Sequence, residues 1–74
     1  MTNYRTILIR HDGTTTAFQE ETFRHAAGRA LHLVTKDDAD LGRPRVAKII
    51  MSDGTSLMEY TRDDLRDIAK EHTR

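Results

Sequence analysis

Cysteine and tryptophan are absent from this 74-residue chain, and proline occurs once. Without cysteine the chain can form neither a disulfide framework nor a thiolate metal site. For so small a fold this favours a reducing compartment, so we expect the protein in the cytoplasm. Hydrophobic residues make up 36% of the chain and aromatic residues 5%. Because a domain of this size buries only about 60% of its unfolded surface, its core must be thin, and a homodimer or a tight partner would add apolar burial.

Neither sign of charge dominates, because twelve Lys and Arg residues balance twelve Asp and Glu residues. A net charge of zero argues against non-specific attraction to a polyanion. Long apolar runs are also missing, so the sequence predicts neither a membrane span nor a secretory signal. The chain begins with Met1 and carries no tag. We therefore expect a whole small protein that forms a single domain over residues 1–74.

The tripeptide Asp-Gly-Thr occurs twice, at residues 12–14 and 53–55, and each copy follows an aliphatic run. Asp-Gly between two such runs predicts a β-hairpin with a type I′ turn, in which both central residues take positive φ. This turn would place Ile9 opposite Thr16 and Ile7 opposite Phe18 in the first hairpin. In the second hairpin it would give the pairs Ile50–Leu57, Lys48–Glu59, Ile49–Met58 and Ala47–Tyr60.

A helix is predicted after each hairpin. The first should run from about residue 20 to about residue 34, because apolar residues recur there at helical spacing: Phe23, Ala26, Ala27, Ala30, Leu31 and Val34. Thr61 and Asp64 form a capping box at the start of the second helix, whose apolar stripe is Leu65, Ile68 and Ala69. Residues 35–45 contain three acids, Gly42 and Pro44, and are predicted to be a polar connection.

These elements predict an α+β fold in the order ββαββα, with a four-stranded antiparallel sheet and two helices packed on one face. Unit one would span residues 3–34, the connection residues 35–45, and unit two residues 46–72. The turns repeat after 41 residues and the helices after 42, which would be compatible with two ββα repeats. The alternative is that two common turn sequences coincide by chance.

Metal and catalytic chemistry find little support in the sequence. His25 and His32 are seven residues apart, whereas zinc-binding histidines on a helix are usually three or four apart, and His11 and His72 lie far from both. No nucleophile elbow, Walker loop or dinucleotide fingerprint is present. A chain of this size also has little room for a pocket of about 300 Å³ or more. We therefore predict no metal site, no cofactor, no catalytic residues and no enzymatic activity.

The outward face of the first helix is the main candidate for a binding site. Gly28 costs about 1 kcal/mol relative to alanine inside a helix, and its bare backbone would permit close approach by another molecule. We predict a partner-binding patch that consists of Arg24, His25, Gly28, Arg29 and His32. Two acids of the second helix, Asp63 and Asp67, could meet a basic groove of a partner. For both helices, a merely solvated face is the alternative.

Basic residues of the strands suggest a different kind of partner. If the first and third strands are neighbours, a stripe could form on one face of the sheet from Arg5, Arg10, Arg43, Arg45 and Lys48. Sheets bind nucleic acid in this way, and Tyr4 or Tyr60 could stack on a base. The equal number of acids makes nucleic acid a less expected partner than protein.

The segment "RVAKIIMSDGTSLMEYTRDDLRDIAKE", preceded by "RHAAGRALHLV", resembles the helix–hairpin–helix layout of phage head–tail joining proteins of the lambda W type. The resemblance covers Arg24–Glu71 and rests on "RVA", an Asp-Gly turn and a following "DL". It implies a structural phage component that assembles with copies of itself. In size, polarity and α+β layout the chain is also similar to small inhibitors from phages and mobile elements, such as anti-CRISPR proteins, which bind an effector complex without catalysis.

We therefore expect a small non-enzymatic protein-binding module, either a stoichiometric inhibitor or an adaptor, that acts through its surface. Its partner would be another protein or protein complex, or a second copy of the chain. A small nucleic-acid-binding protein that uses the strand arginines and lysine is the first alternative. A phage structural component of the head–tail joining type is the second.

Overall fold

The computed structural model describes residues 3–71. Its elements are β1 (Tyr4–Arg10), β2 (Thr15–Glu20), α1 (Phe23–Leu41), β3 (Val46–Ser52), β4 (Leu57–Tyr60) and α2 (Arg62–Glu71). The four strands form one antiparallel sheet in the order β2-β1-β3-β4. The predicted α+β fold with the order ββαββα is therefore confirmed.

The core lies between one face of the sheet and α1. The sheet contributes Leu8, Ile49 and Met51, each at most 2% exposed. The predicted apolar stripe of α1 meets them with four buried residues, Ala26, Ala27, Ala30 and Val34. Three of these are alanines, whose small side chains let the helix backbone lie close to the strands. Helix α2 packs against α1 and adds the fully buried Leu65 to the same core.

The opposite face of the sheet has no layer above it among the described residues. Ile7, Ile9 and Ile50 alternate along the strands with the buried residues and are half-buried. Arg5 and Lys48 lie on this face as well, at exposed positions. Glu59, which pairs with Ile50, lies there too, so the open face combines a short apolar strip with two basic side chains and one acid.

The first hairpin differs from the prediction by one residue. Its loop contains three residues, 11–13, and is closed by the Arg10 amide, which donates to the Thr14 carbonyl oxygen over 2.9 Å. Only Gly13 takes a positive φ, of 89°, so the predicted type I′ turn is not formed. Ile7 consequently pairs with Ala17, and Phe18 pairs with Thr6. The predicted pairs Ile9–Thr16 and Ile7–Phe18 are wrong, because the loop is one residue longer than the predicted turn. A shift of one residue also exchanges the two faces of a strand.

The second hairpin differs from the prediction by two residues. Residues 53–56 form the loop, and β3 pairs with β4 as Ser52–Leu57, Met51–Met58, Ile50–Glu59 and Ile49–Tyr60. The predicted pairs Ile50–Leu57, Lys48–Glu59, Ile49–Met58 and Ala47–Tyr60 are therefore wrong. The Asp53 carboxylate accepts hydrogen bonds from the backbone amides of Thr55 and Ser56, both over 2.9 Å, which holds a longer loop than a two-residue turn. Because the shift is two residues, each side chain keeps its face.

Helix α1 begins later and ends much later than predicted. Thr22 caps its start, since the Thr22 hydroxyl oxygen accepts a hydrogen bond from the His25 amide over 3.1 Å. Its end is Leu41, followed by Gly42 with φ of 74°, whose amide donates to the carbonyl oxygen of Asp38. The predicted connection 35–45 is wrong over residues 35–41, which are helical. Acids in a last turn oppose the helix dipole, but here ion pairs compensate two of them: Asp37 with Arg10 and Asp38 with Arg62.

The start of α2 follows the prediction. The Thr61 amide donates to the Asp64 carboxylate over 2.9 Å, and the Asp64 amide donates to the Thr61 hydroxyl over 3.0 Å, which is a capping box. Arg62 then donates through Nε and Nη2 to the two carboxylate oxygens of Asp38, over 2.7 and 3.0 Å. This bidentate pair raises the pKa of Arg62 and lowers the pKa of Asp38. It ties the beginning of α2 to the end of α1.

Candidate interaction surfaces

Helix α1 presents the predicted partner-binding patch to solvent as one surface. Arg24, His25, Gly28, Arg29 and His32 are all exposed and lie on the solvent-facing side of the helix, with Arg29 on the flank nearest β2. Lys36 extends the same side by one turn and was not predicted. From Arg24 to Lys36 this surface is about 18 Å long. We call these six residues the α1 outward face.

The charged side chains of α1 have the same polarity as its helix dipole, positive near the N-terminal end and negative near the C-terminal end. No acid lies in the first turn and no base in the last turn. Basic residues fill the first half, where the dipole is already positive, and Asp37, Asp38 and Asp40 fill the last turns. This arrangement weakens the isolated helix, but it concentrates positive potential on the α1 outward face.

Arg29 is the one cation of the α1 outward face that is fixed by contacts within the chain. Its guanidinium lies 4.4 Å from the centroid of the Phe18 ring and 3.4 Å from a Glu20 carboxylate oxygen. Both contacts come from β2, and half of the Arg29 side chain stays exposed. Arg24 and Lys36 form no ion pair with any residue between 3 and 71. Arg24 and the two exposed histidines thus lie within about one turn of Gly28, and Lys36 lies about two turns further along the helix.

Nothing in residues 3–71 requires a glycine at position 28. Its φ is not positive, so an ordinary residue fits its backbone conformation. Apart from its own helix backbone, a Cβ atom placed there would meet no atom of the described residues within 4 Å. The helix therefore gives up about 1 kcal/mol relative to alanine without gaining close packing in return.

The two predicted acids of α2 belong to a different surface. Asp63 and Asp67 are exposed and lie on the side of α2 opposite the buried Leu65. Asp63 pairs with Arg66 over 2.8 Å at the solvent-exposed surface. The structure therefore does not bring these acids together with the α1 outward face.

The five strand and loop cations do not form one stripe, although β1 and β3 are neighbours as that hypothesis required. Arg10 lies under the helix layer, where it donates to Asp37 over 3.0 Å and to the Thr16 hydroxyl over 2.7 Å. Arg45 also approaches Asp37, at 4.0 Å. Arg5 and Lys48 lie on the open face of the sheet, and Arg43 is exposed in the loop after α1. Two of the five are thus engaged inside the fold.

The prediction that the chain has little room for a pocket of about 300 Å³ is wrong, because its surface has open depressions of about 580, 380, 320 and 290 Å³. Two of them lie beside the hairpin loops. One, of about 580 Å³, lies between the first hairpin loop and the end of α1 and has mixed charges and an apolar side formed by Leu41 and Pro44. The other, of about 290 Å³, lies beside the second hairpin loop and is lined by Tyr4, Phe23 and Tyr60. These aromatic residues come from β1, α1 and β4, so no local sequence signal links them.

The histidines and acids of residues 3–71 include no group of three that could hold one metal ion. His72, the fourth histidine considered above, lies outside the described residues. Within the described part of the chain, no helix is long and apolar enough to cross a membrane.

Comparison with known proteins gives no further information about these surfaces. No protein-family model, no curated protein and no solved structure matches the chain.

Proposed function

We propose that this protein is a non-enzymatic binding module that attaches to an acidic surface of another protein through the α1 outward face. The observation that carries the proposal is Gly28, a helix-interior glycine that the fold itself does not need. A missing side chain at the centre of a cationic face allows a partner to approach the helix backbone closely. Flanking cations would then contact carboxylates of the partner.

Several properties of the α1 outward face support binding rather than catalysis. Its side chains are spread along an exposed helix and are not gathered in a cavity that could shelter a reaction. A stoichiometric inhibitor or adaptor needs only such an exposed contact surface. Occupation of a partner's functional surface is the mechanism that we propose for its action.

The distribution of charge favours a protein partner over nucleic acid. The net charge is zero, and Arg10 and Arg45 are engaged with Asp37. Of the five strand and loop cations, Arg5, Arg43 and Lys48 remain without an ion pair to residues 3–71, which is few for a surface that neutralises many phosphates. A second copy is also disfavoured at this surface, because a two-fold contact would bring Arg24, Arg29 and Lys36 of two copies together.

The test is affinity capture from the lysate of the source cell, with and without nuclease, by wild type and by Gly28→Arg. Wild type should retain one protein complex after nuclease treatment, and Gly28→Arg should retain at least about tenfold less. Thr15→Arg is the matched control, since it adds the same side chain at an exposed position of β2 on the open face of the sheet. This control should capture as wild type does.

Circular dichroism must show that all three proteins are folded. Capture that disappears with nuclease would overturn the proposal in favour of nucleic acid. Equal capture by wild type and Gly28→Arg would remove the α1 outward face from the binding site.

A further inference from the structure

The depression beside the second hairpin loop has aromatic walls. Phe23 stands between the two tyrosines, with ring centroids 5.6 Å from Tyr4 and 5.8 Å from Tyr60. The ring planes are inclined by 57° and 56°, which is tilted aromatic packing, and all three residues line the depression. Met51 and Met58 complete the apolar part of the lining.

One carboxylate supplies the only formal charge of this lining. Asp53 lies at the loop end of the pocket, and none of the described residues that line the pocket is basic. Its Oδ1 accepts hydrogen bonds from the loop, whereas its Oδ2 makes no hydrogen bond or ion pair with any residue from 3 to 71. Backbone hydrogen bonds from Ser56 and Thr55 lower the pKa of Asp53 to about 2, so the carboxylate is ionised at neutral pH.

We propose that this pocket is a second binding site, which takes the cationic side chain of an arginine presented by a polypeptide. Aromatic ring faces and a carboxylate all attract positive charge, and thioether sulfurs pack well against flat, polarisable groups. A guanidinium combines a flat face for stacking with donors for the Asp53 Oδ2 atom. A volume of about 290 Å³ suits one side chain better than a larger ligand.

The pocket and the α1 outward face recognise opposite charges, so this inference stands apart from the proposed function. Arg24, Arg29 and Lys36 do not line the pocket. The two sites can therefore be tested with separate variants. Failure of one test leaves the other proposal unchanged.

The chain contains its own reporter for this site. It has two tyrosines and no tryptophan, and both tyrosines line the pocket. Intrinsic tyrosine fluorescence of the wild-type protein therefore reports on the pocket alone. The probe is N-acetyl-arginine amide, and the matched control ligand is N-acetyl-citrulline amide, which has the same shape without the charge. Both are titrated at constant ionic strength.

The arginine derivative should change the tyrosine fluorescence in a saturable way, and the citrulline derivative should bind at least about fivefold more weakly. Asp53→Asn should also weaken binding of the arginine derivative by at least about fivefold, since it removes the charge and keeps an Oδ1 acceptor for the loop. Asp12→Asn is the matched control variant, because Asp12 makes the same hydrogen bonds to the threonine of an Asp-Gly-Thr loop whose depression is lined by no described phenylalanine or tyrosine. This control should bind as wild type does.

Absence of a saturable response to the arginine derivative would overturn the inference. Equal binding of the arginine and citrulline derivatives, or equal loss in Asp53→Asn and Asp12→Asn, would also overturn it. Amide chemical shifts of the wild-type protein provide an independent check. They should change around Phe23, Asp53 and Tyr60, and changes confined to other residues would contradict the assigned site.

Discussion

The two Asp-Gly-Thr loops share their internal hydrogen bonds but not their length. In both, the aspartate Oδ1 accepts from the backbone amide of the threonine, over 2.9 Å, and from its hydroxyl, over 2.6 Å at Asp12 and 2.8 Å at Asp53. Asp53 gains one more backbone donor, the amide of Ser56. The first loop closes after three residues and the second after four.

The shared motif therefore determines where each chain reversal occurs but not the register of the strands. Register depends on the residue that follows the threonine, because that residue either joins the strand or stays in the loop. Thr15 is the first residue of β2, whereas Ser56 precedes β4. A difference of one loop residue is enough to turn Ile7 towards the open face and Phe18 towards the core.

The helices of the two units differ as much as the loops. Helix α1 has 19 residues and lies on the sheet, whereas α2 has 10 residues and packs chiefly against α1. The shorter helix depends on a few anchors, namely Leu65 and the Arg62–Asp38 pair. The longer helix spreads its burial over many small residues, so α2 should be the more sensitive to single substitutions.

Leu65→Ala should have the largest effect on stability. Leu65 is fully buried, and its truncation should lower the free energy of unfolding by about 3 kcal/mol through lost burial and a residual cavity. Leu57→Ala is the matched control in the same unit, because this leucine is 67% exposed. Its effect should be below about 1 kcal/mol. Urea unfolding followed by circular dichroism measures both, and similar losses would contradict the assigned anchor.

Arg62→Met should have the next largest effect. It removes the bidentate bond to Asp38 and a 2.9 Å bond to the carbonyl oxygen of Val46, both part-buried. The free energy of unfolding should fall by about 1–2 kcal/mol. Arg66→Met breaks only an exposed pair with Asp63, and should cost less than about 0.5 kcal/mol. Urea midpoints that rank the two variants in the other order would show that the α1–α2 ion pair is not an anchor.

Gly28→Ala should stabilise the protein. Its added Cβ meets no atom within 4 Å, so the helix gains propensity of up to about 1 kcal/mol without a clash. The corresponding position of α2, 42 residues later, is Lys70, an ordinary helix former. Thermal unfolding should give a higher midpoint than wild type. A lower midpoint would mean that Gly28 serves the fold after all.

Asp53→Asn should change the dependence of stability on pH more than Asp12→Asn. The pKa of Asp53 is lowered to about 2 by donors from Ser56 and Thr55, and the pKa of Asp12 is lowered by Thr14. A carboxyl pKa that is lower in the folded state than in the unfolded state stabilises the fold at every pH above the unfolded pKa of about 3.8. This stabilisation should be lost as the pH falls from about 3.8 towards 2. Unfolding midpoints between pH 5 and pH 2 should therefore fall less steeply in Asp53→Asn than in wild type. An unchanged slope would contradict the loop geometry.

Patterns with a short period could be predicted well from the sequence. The apolar faces of both helices, the capping box at Thr61 and the positions of both chain reversals are confirmed. Each depends on neighbouring residues only. The exposed position of Arg24, His25, Gly28, Arg29 and His32 could be predicted for the same reason, since it is the complement of the apolar face of α1.

Features that depend on distant residues could not be predicted. Helix α1 continues to Leu41 because β1 and α2 supply arginines to Asp37 and Asp38, and neither partner is close in sequence. The aromatic pocket needs β1, α1 and β4 to meet, which the strand order brings about. The prediction that Arg10 belongs to a surface stripe failed because its partner Asp37 is distant in sequence. The hydrogen bond between them is visible only in the folded chain.

The most direct test of the proposed function is the dissociation constant of the captured partner for wild type and Gly28→Arg, measured with purified proteins at the same salt concentration. We predict that Gly28→Arg raises the dissociation constant at least about tenfold while its unfolding midpoint stays at or above that of wild type. A dissociation constant equal to that of wild type, in a folded variant, would contradict the claim that the α1 outward face is the binding surface.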